Sequence, residues 1–229
     1  YNGTVGGTII DINADIYSGK TFSAKTIEEN SRDCEDALIN VNTSNGDRLY
    51  AVKTVLSHKL WKGSITGGTE ITTVARKEMY HIEPSVLPST DIKIGETTAA
   101  AFAAYSLLIK DGEIGAGVRY EHVSFNRKDG SEDTYDRLFP SVSFSKKIKK
   151  VGLSAAYSAI TRRPDFFQLS NAVSYYNRYT LQTGNPDLES EIQHTFSLGA
   201  SYSWLTASCV YEPNKGHLIQ WAEIYNDDY

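Results

Sequence analysis

The sequence predicts an all-β chain, an antiparallel meander of about ten long strands. Three observations predict it. Apolar and polar residues alternate with a period of two along most of the chain. The links between alternating stretches are short and long by turns. The most apolar run, residues 97–109, falls short of the roughly twenty residues a spanning helix needs.

The elements follow in order. Residues 8–16 set Thr8, Ile10, Ile12, Ala14 and Ile16 against Asp11, Asn13 and Asp15. Gly3-Thr4-Val5-Gly6-Gly7 precedes them inside the alternation, with no helix after it, and so is not a dinucleotide loop. Residues 18–47 are polar, with turn chemistry at 42–47, and are expected to form a long outer loop. A small insertion packed around Ala37, Leu38, Ile39 and Val41 is the other reading of that stretch. Next, Tyr50, Val52, Leu56 and Leu60 alternate with Lys53, Ser57 and Lys59. After a short link at Trp61-Lys62-Gly63, Ile65, Ile71, Ala75 and Met79 share a phase opposite Glu70, Arg76 and Glu78. A longer link spans 81–91.

Residues 97–109 are ambiguous, because their Ala-rich middle also suits a helix. Asp111-Gly112 follows at once, and Asp-Gly between apolar runs is a strong hairpin signal, so a strand is expected. Ile114, Ala116, Val118, Tyr120 and His122 then face away from Gly115, Gly117, Arg119 and Glu121. A polar link at 126–133 leads to Leu138, Pro140, Val142 and Phe144, opposite Ser141, Ser143 and Ser145. A short link at 146–150 precedes Val151, Leu153, Ala155, Tyr157 and Ala159. Residues 162–190 form a very long link, the second expected outer loop. Ile192, Phe196, Leu198, Ala200, Tyr202 and Trp204 then share one phase, with His194. Leu205, Ala207, Cys209 and Tyr211 take the opposite phase, which marks a turn at Trp204-Leu205.

Composition narrows the class. Of 229 residues, 40% are hydrophobic and 22% charged, too polar for a helical membrane bundle and too apolar for a disordered chain. The net charge of -5 gives no basic footprint for nucleic acid. Tyr is abundant, with 15 residues against 8 Phe and 3 Trp, and its ring suits surfaces half apolar and half wet. The two cysteines, Cys34 and Cys209, make no disulfide framework. Tight turns at one end and elaborated loops at the other are the layout of a transmembrane β-barrel. Its strands need about nine to eleven residues to cross the hydrocarbon. Such a barrel turns its apolar row to lipid and its polar row to the lumen.

Residues 138–202 carry a more specific pattern. Tyr157-Ser158-Ala159-Ile160-Thr161-Arg162-Arg163-Pro164 ends one strand, and Leu169 and Tyr179 lie in the link. Gly184-Asn185-Pro186-Asp187-Leu188 then leads through Glu191 into the next strand. This resembles the barrel of TonB-dependent outer-membrane receptors, most of all the outer membrane protein beta-barrel group common in Bacteroidetes. There a strand ends in Arg-Pro, an aromatic-rich outer loop follows, and a Gly-Asn-Pro-x-Leu turn opens the next strand. The resemblance implies a 22-stranded barrel plugged by a separate N-terminal domain that contacts TonB. The whole chain, 1–229, is then expected to be a partial barrel domain without that plug. The resemblance also implies a Gram-negative outer-membrane location, lipid around the barrel and import of a nutrient ligand without chemistry on it. No cofactor is expected. Pro164, Gly184, Asn185, Pro186 and Leu188 are the structural motif positions. A passive or structural outer-membrane barrel, or a soluble all-β ligand-binding protein, remains the alternative.

Candidate sites are few. Arg162, Arg163, Phe166, Phe167, Tyr175, Tyr176 and Tyr179 are expected to contact ligand from the long link, with Trp221 a further aromatic. The other reading is that the link packs on itself, or that its tyrosines join an interfacial girdle. The 5 histidines, His58, His81, His122, His194 and His217, show no paired metal spacing and read as packed or interfacial. Glu78, His81 and Glu83 on a strand end, and residues 33–36, could ligate a cation but read as solvated charge. No nucleophile elbow is present, and no catalytic residue is assigned.

Overall fold

Two residues of turn are enough to reverse an antiparallel strand, and this chain does so repeatedly at one end of its sheet. The structure is a computed structural model, described here for residues 1–30, 32, 35–127 and 132–224. Its strands are β1 (Asn2–Val5), β2 (Thr8–Glu29), β3 (Ala37–Leu60), β4 (Gly63–Glu83), β5 (Thr90–Ile109), β6 (Gly112–Arg127) and β7 (Glu132–Ile148). They continue as β8 (Val151–Arg162), β9 (Ser174–Asn177), β10 (Thr180–Gln182), β11 (Glu191–Tyr202), β12 (Leu205–Tyr211) and β13 (Asn214–Lys215). All but β9 and β10 join one 11-stranded antiparallel sheet in the order β1 to β8, then β11 and β12, with β13 also on β11. The fold is the all-β meander that the alternation predicts.

The tight turns use left-handed backbone at Gly6, Gly7, Trp61, Asp111, Lys149 and Ser203. The Asp111-Gly112 signal is therefore read one residue late. The turn is Lys110-Asp111, and Gly112 already belongs to β6. Glycine is needed at 112 for a different reason: a Cβ there would sit 2.2 Å from the Ser145 carbonyl oxygen. Likewise Gly6 and Gly7 do not continue a strand but turn β1 into β2.

The expected outer loop at 18–47 is corrected. β2 runs unbroken to Glu29 and β3 starts at Ala37, paired residue by residue from Glu29↔Ala37 to Thr8↔His58. The reason is solvent on both faces. Beyond Ile16 and Tyr50 these strands leave the apolar band, so neither face need be apolar and the period-two signal disappears. At 24 residues β3 is the longest strand, well beyond the usual mode of about five to six.

Register assigns the faces. Lys53, Glu70, Ala100, Glu121 and Arg137 lie side by side across β3 to β7, on one face. Val52, Ile71, Ala99 and His122 form the neighbouring row on the other face. That second face carries Ile12, Ile16, Leu56, Ile65, Val118, Val142, Leu153 and Leu198, all exposed. The apolar face thus looks outward, not into a sealed core, which removes the soluble binding-protein alternative with its apolar rows wrapped around a ligand. The buried core lies elsewhere, at the loop end of the sheet.

β7 and β8 pair only from Ser141↔Ser158 to Ile148↔Val151. Pro140 is the next residue and has no N–H to give, so the ladder stops there. From that point β8 continues with β11 alone, up to Arg162↔Glu191.

Candidate functional site

Residues 163–190 do not hang free above the sheet. They fold back over its polar face and strap across the loop end. The short hairpin β9–β10 brings Tyr175 into a buried cluster with Ile39, Val41, Tyr80 and Ile82. The Tyr175 backbone N–H donates to the Tyr80 hydroxyl at 2.9 Å. Closer to β8, Leu169 packs with Ile94 and Phe125, and Phe166 and Leu188 lean on that second cluster. All six wall residues in these clusters belong to the polar face, where the strands pass above the band.

Charge pins the strap. Glu29 accepts from the Tyr175 hydroxyl at 3.1 Å, from the Arg178 N–H at 2.8 Å and from Arg178 Nε at 2.9 Å. Burial opposes the charge on Glu29, but the Arg178 and Tyr175 bonds outweigh it and hold the carboxyl below its ordinary range. At the strap's far end, Ser190 is held by Arg137 Nη1, which donates to its carbonyl at 3.1 Å, and by the Tyr135 hydroxyl at 3.2 Å. This bond reaches β7 just where the β7–β8 ladder has ended.

The sequence motif is explained by this packing. Pro164 follows the end of β8. Gly184 passes so close to the turn at 167–168 that a Cβ would lie 2.3 Å from the Gln168 carbonyl oxygen. Asn185 Oδ1 caps the next turn by accepting from the Asp187 N–H at 2.9 Å. Pro186 stands between them and Leu188 packs into the second cluster.

Below the strap, the polar wall carries a ladder of alternating charge. Lys53 Nζ is 3.7 Å from Glu70, and Glu70 is 3.3 Å from Arg119 Nη1. Arg119 Nε donates to Glu121 at 2.7 Å. Glu121 accepts from Arg163 Nη2 at 2.9 Å, and Arg163 Nη1 donates to Glu96 at 2.7 Å. The Phe102 ring lies under this ladder, 5.9 Å from Lys53 Nζ and 6.0 Å from Arg119 Cζ. Lys53, Glu70, Arg119, Glu121, Arg163 and Phe102, together with Phe139, line a bowl of about 790 Å³. Nearer the tight turns the same face is nearly bare. A Cβ at Gly117 would meet Ala104 Cβ at 3.0 Å, and one at Gly115 would meet Ser143 Oγ at 2.5 Å.

The candidate ligand residues are thus split. Arg163 joins the wall ladder, Phe166 and Tyr175 are in the strap's own packing, and Arg162 stands exposed at the end of β8. Phe167, Tyr176 and Tyr179 keep exposed rings, at 41%, 62% and 67%. Trp221 is exposed as well. Sequence reasoning missed Lys53, Glu70, Glu96, Arg119 and Glu121. For Lys53, Glu70, Arg119 and Glu121 the signal was present, each a charge in the polar phase of its strand, whereas Glu96 shares its phase with Ile92 and Ile94 and gave none. Every histidine has a partner, among them His81 with Ser89 and Glu83, His122 with Asp136, and His194 with Tyr157. Asp33 and Cys34 lie outside the described residues, and Cys209 is a free, exposed thiol on β12.

Residues 7–228 match the outer membrane protein beta-barrel family. The chain belongs to that family. Its place is the Gram-negative outer membrane, and in a barrel of this family the ladder and bowl face the lumen. No curated protein matches the chain in sequence. Among solved structures, the FpvAI–pyocin S2 complex aligns with a TM-score of 0.69 at 10% identity, over 92% of this chain and 30% of that one. The ferric yersiniabactin uptake receptor FyuA from Yersinia pestis aligns at 0.63 and 12% identity, over 93% and 34%. The copper transporter OprC aligns at 0.63 and 10% identity, over 90% and 37%. At such identities the likeness is one of fold. The chain spans about a third of the length of these structures.

Proposed function

We propose that this chain forms part of the barrel of a TonB-dependent outer-membrane receptor that captures and imports a nutrient ligand. The observation that carries the proposal is the strap. It is anchored to wall strands far from its own ends, through Glu29, Tyr80 and the Glu96–Arg163–Glu121 bridge. A simple diffusion pore needs no ordered cover on its outer mouth, whereas a receptor that retains a ligand does. The fold likeness to the ferric yersiniabactin uptake receptor FyuA and the copper transporter OprC supports the same reading.

In this reading the exposed rings of Phe167, Tyr176 and Tyr179, with Arg162, meet the ligand from outside. The charge ladder and the bowl lie on the path below. Import draws on TonB through a plug domain, which occupies the nearly bare Gly and Ser wall near the tight turns. The open edges of the sheet pair with further strands, because unpaired backbone cannot face hydrocarbon.

The test is conductance of the full-length protein in a planar lipid bilayer. The receptor reading expects a barrel that stays shut without TonB and energy. A steady open channel in the wild-type protein would make it a passive pore instead.

A further inference from the structure

Four cations, Lys20, Arg48, Lys77 and Lys93, cluster on the outward face just beyond the apolar band. Lys20, Gly46, Lys77 and Lys93 lie in one row across β2, β3, β4 and β5. The row beside it, on the same face, runs Ser18, Arg48, Ala75 and Gly95. Below both comes Ile16, Tyr50, Thr73 and Thr97, the upper margin of the apolar band. The cation row is four residues further along each strand. At about 3.3 Å per residue and a tilt near 45°, that is roughly 9 Å of depth, the level of lipid headgroups.

Three features separate this patch from ordinary solvated lysines. First, its cations are exposed and largely unspent. Lys77 has Asp91 at 3.9 Å, but among the described residues Lys20, Arg48 and Lys93 form no ion pair. Second, glycine keeps the space between them open. A Cβ at Gly46, between Lys20 and Lys77, would meet nothing within 4 Å, and one at Gly95 only the Val74 carbonyl oxygen at 3.9 Å. Third, the row beyond is not wholly polar: Phe22 and Met79 stand there with 70% and 47% exposure. Cations bracketed by apolar side chains on both sides suit a molecule that is itself charged and greasy.

We propose that Lys20, Arg48, Lys77 and Lys93 form a binding site for the anionic, phosphate-bearing headgroup of an outer-leaflet lipid. The ammonium and guanidinium groups converge on the phosphate, the glycines admit the headgroup against the strand backbones, and its chains lie along Ile16, Tyr50 and Val52. The site rests on the outer-membrane location and is independent of whether the barrel imports anything.

The test uses the full-length protein in dodecyl maltoside micelles, with a folded barrel verified by its heat-dependent mobility on SDS gels. Native mass spectrometry counts dioleoyl phosphatidylglycerol bound, against dioleoyl phosphatidylcholine and inorganic phosphate. The expected result is retention of phosphatidylglycerol, with neither control retained. The combined Lys20→Gln, Arg48→Gln, Lys77→Gln and Lys93→Gln variant should bind it about tenfold more weakly or worse. Replacing the three lysines by arginine should preserve binding, as should Lys62→Gln with Lys150→Gln at the tight-turn end. Equal loss in the tight-turn variant would reduce the effect to general charge attraction. Unchanged binding in the fourfold variant, or displacement by inorganic phosphate alone, would also overturn the site.

Discussion

Arg178 reaches across 149 residues of chain to clasp Glu29, with its backbone N–H at 2.8 Å and its Nε at 2.9 Å from the carboxylate. Those two bonds tie the tip of the strap to the end of β2. Replacing Glu29 by Gln keeps the shape and removes the charge. Docking should weaken by about 1.5–3 kcal/mol, the scale of a hydrogen bond to a charged group. Limited proteolysis of residues 163–190 should then cut faster in the variant, with the barrel itself still resistant.

The same pair predicts a pH response. Because docking holds the Glu29 carboxyl below its ordinary range, the bond stabilises the strap fully above that range. The contribution is lost as pH falls through the lowered value and the carboxylate takes up a proton. Cleavage of the strap should rise on acidification in the wild type. The Glu29→Gln variant should lack this step. An identical acid profile in both would show that Glu29 does not govern docking.

Tyr175 separates packing from hydrogen bonding. Tyr175→Phe removes the bond to Glu29 and leaves the ring among Ile39, Val41, Tyr80 and Ile82. Its expected cost is about 1.5–3 kcal/mol, since the acceptor is a carboxylate. Tyr175→Ala also opens a cavity, and should cost about 3–5 kcal/mol of strap stability. Hydrogen exchange of the β9–β10 amides measures both.

Gly184 should resist even one added carbon. The Gly184→Ala methyl would press on two backbone carbonyl oxygens, those of Gln168 at 2.3 Å and Phe167 at 2.5 Å. Backbone cannot swing aside as a side chain can, so a cost of about 1–3 kcal/mol is expected. Gly46→Ala, where nothing lies within 4 Å, should be nearly silent in the same unfolding measurement.

The two faces of β7 predict opposite tolerance to charge. Val142 stands on the outward face and Ser143 on the lumen face, one residue apart. Val142→Arg should lose about 2–4 kcal/mol in lipid vesicles, if it lies near the bilayer midplane, and Ser143→Arg far less. Denaturant titration of the refolded protein in vesicles measures the difference.

Much of this protein was legible in the chain. Between Ile114 and Tyr120, or Val142 and Phe144, a strand separates lipid from water, so each residue's polarity records the medium it faces. The tight turns and the Arg162-Arg163-Pro164 and Gly184-Asn185-Pro186 motifs were legible for the same local reason. Residues 18–47 were not, because a strand wet on both faces records nothing and reads as loop. The wall ladder was half legible: Arg119 and Glu121 stand out in their strand, but no local pattern says that Arg163 arrives from another element to join them. Nor could the aromatics be sorted. Tyr175 and Tyr176 are neighbours in sequence, yet one ring is buried at 7% exposure and the other stands open at 62%. Alternation is a property of one strand and its two solvents, so the sequence alone determined the barrel wall. Which loop residues meet the wall, and which stay exposed, depends on contacts between residues up to 149 positions apart, and only the tertiary structure decided it.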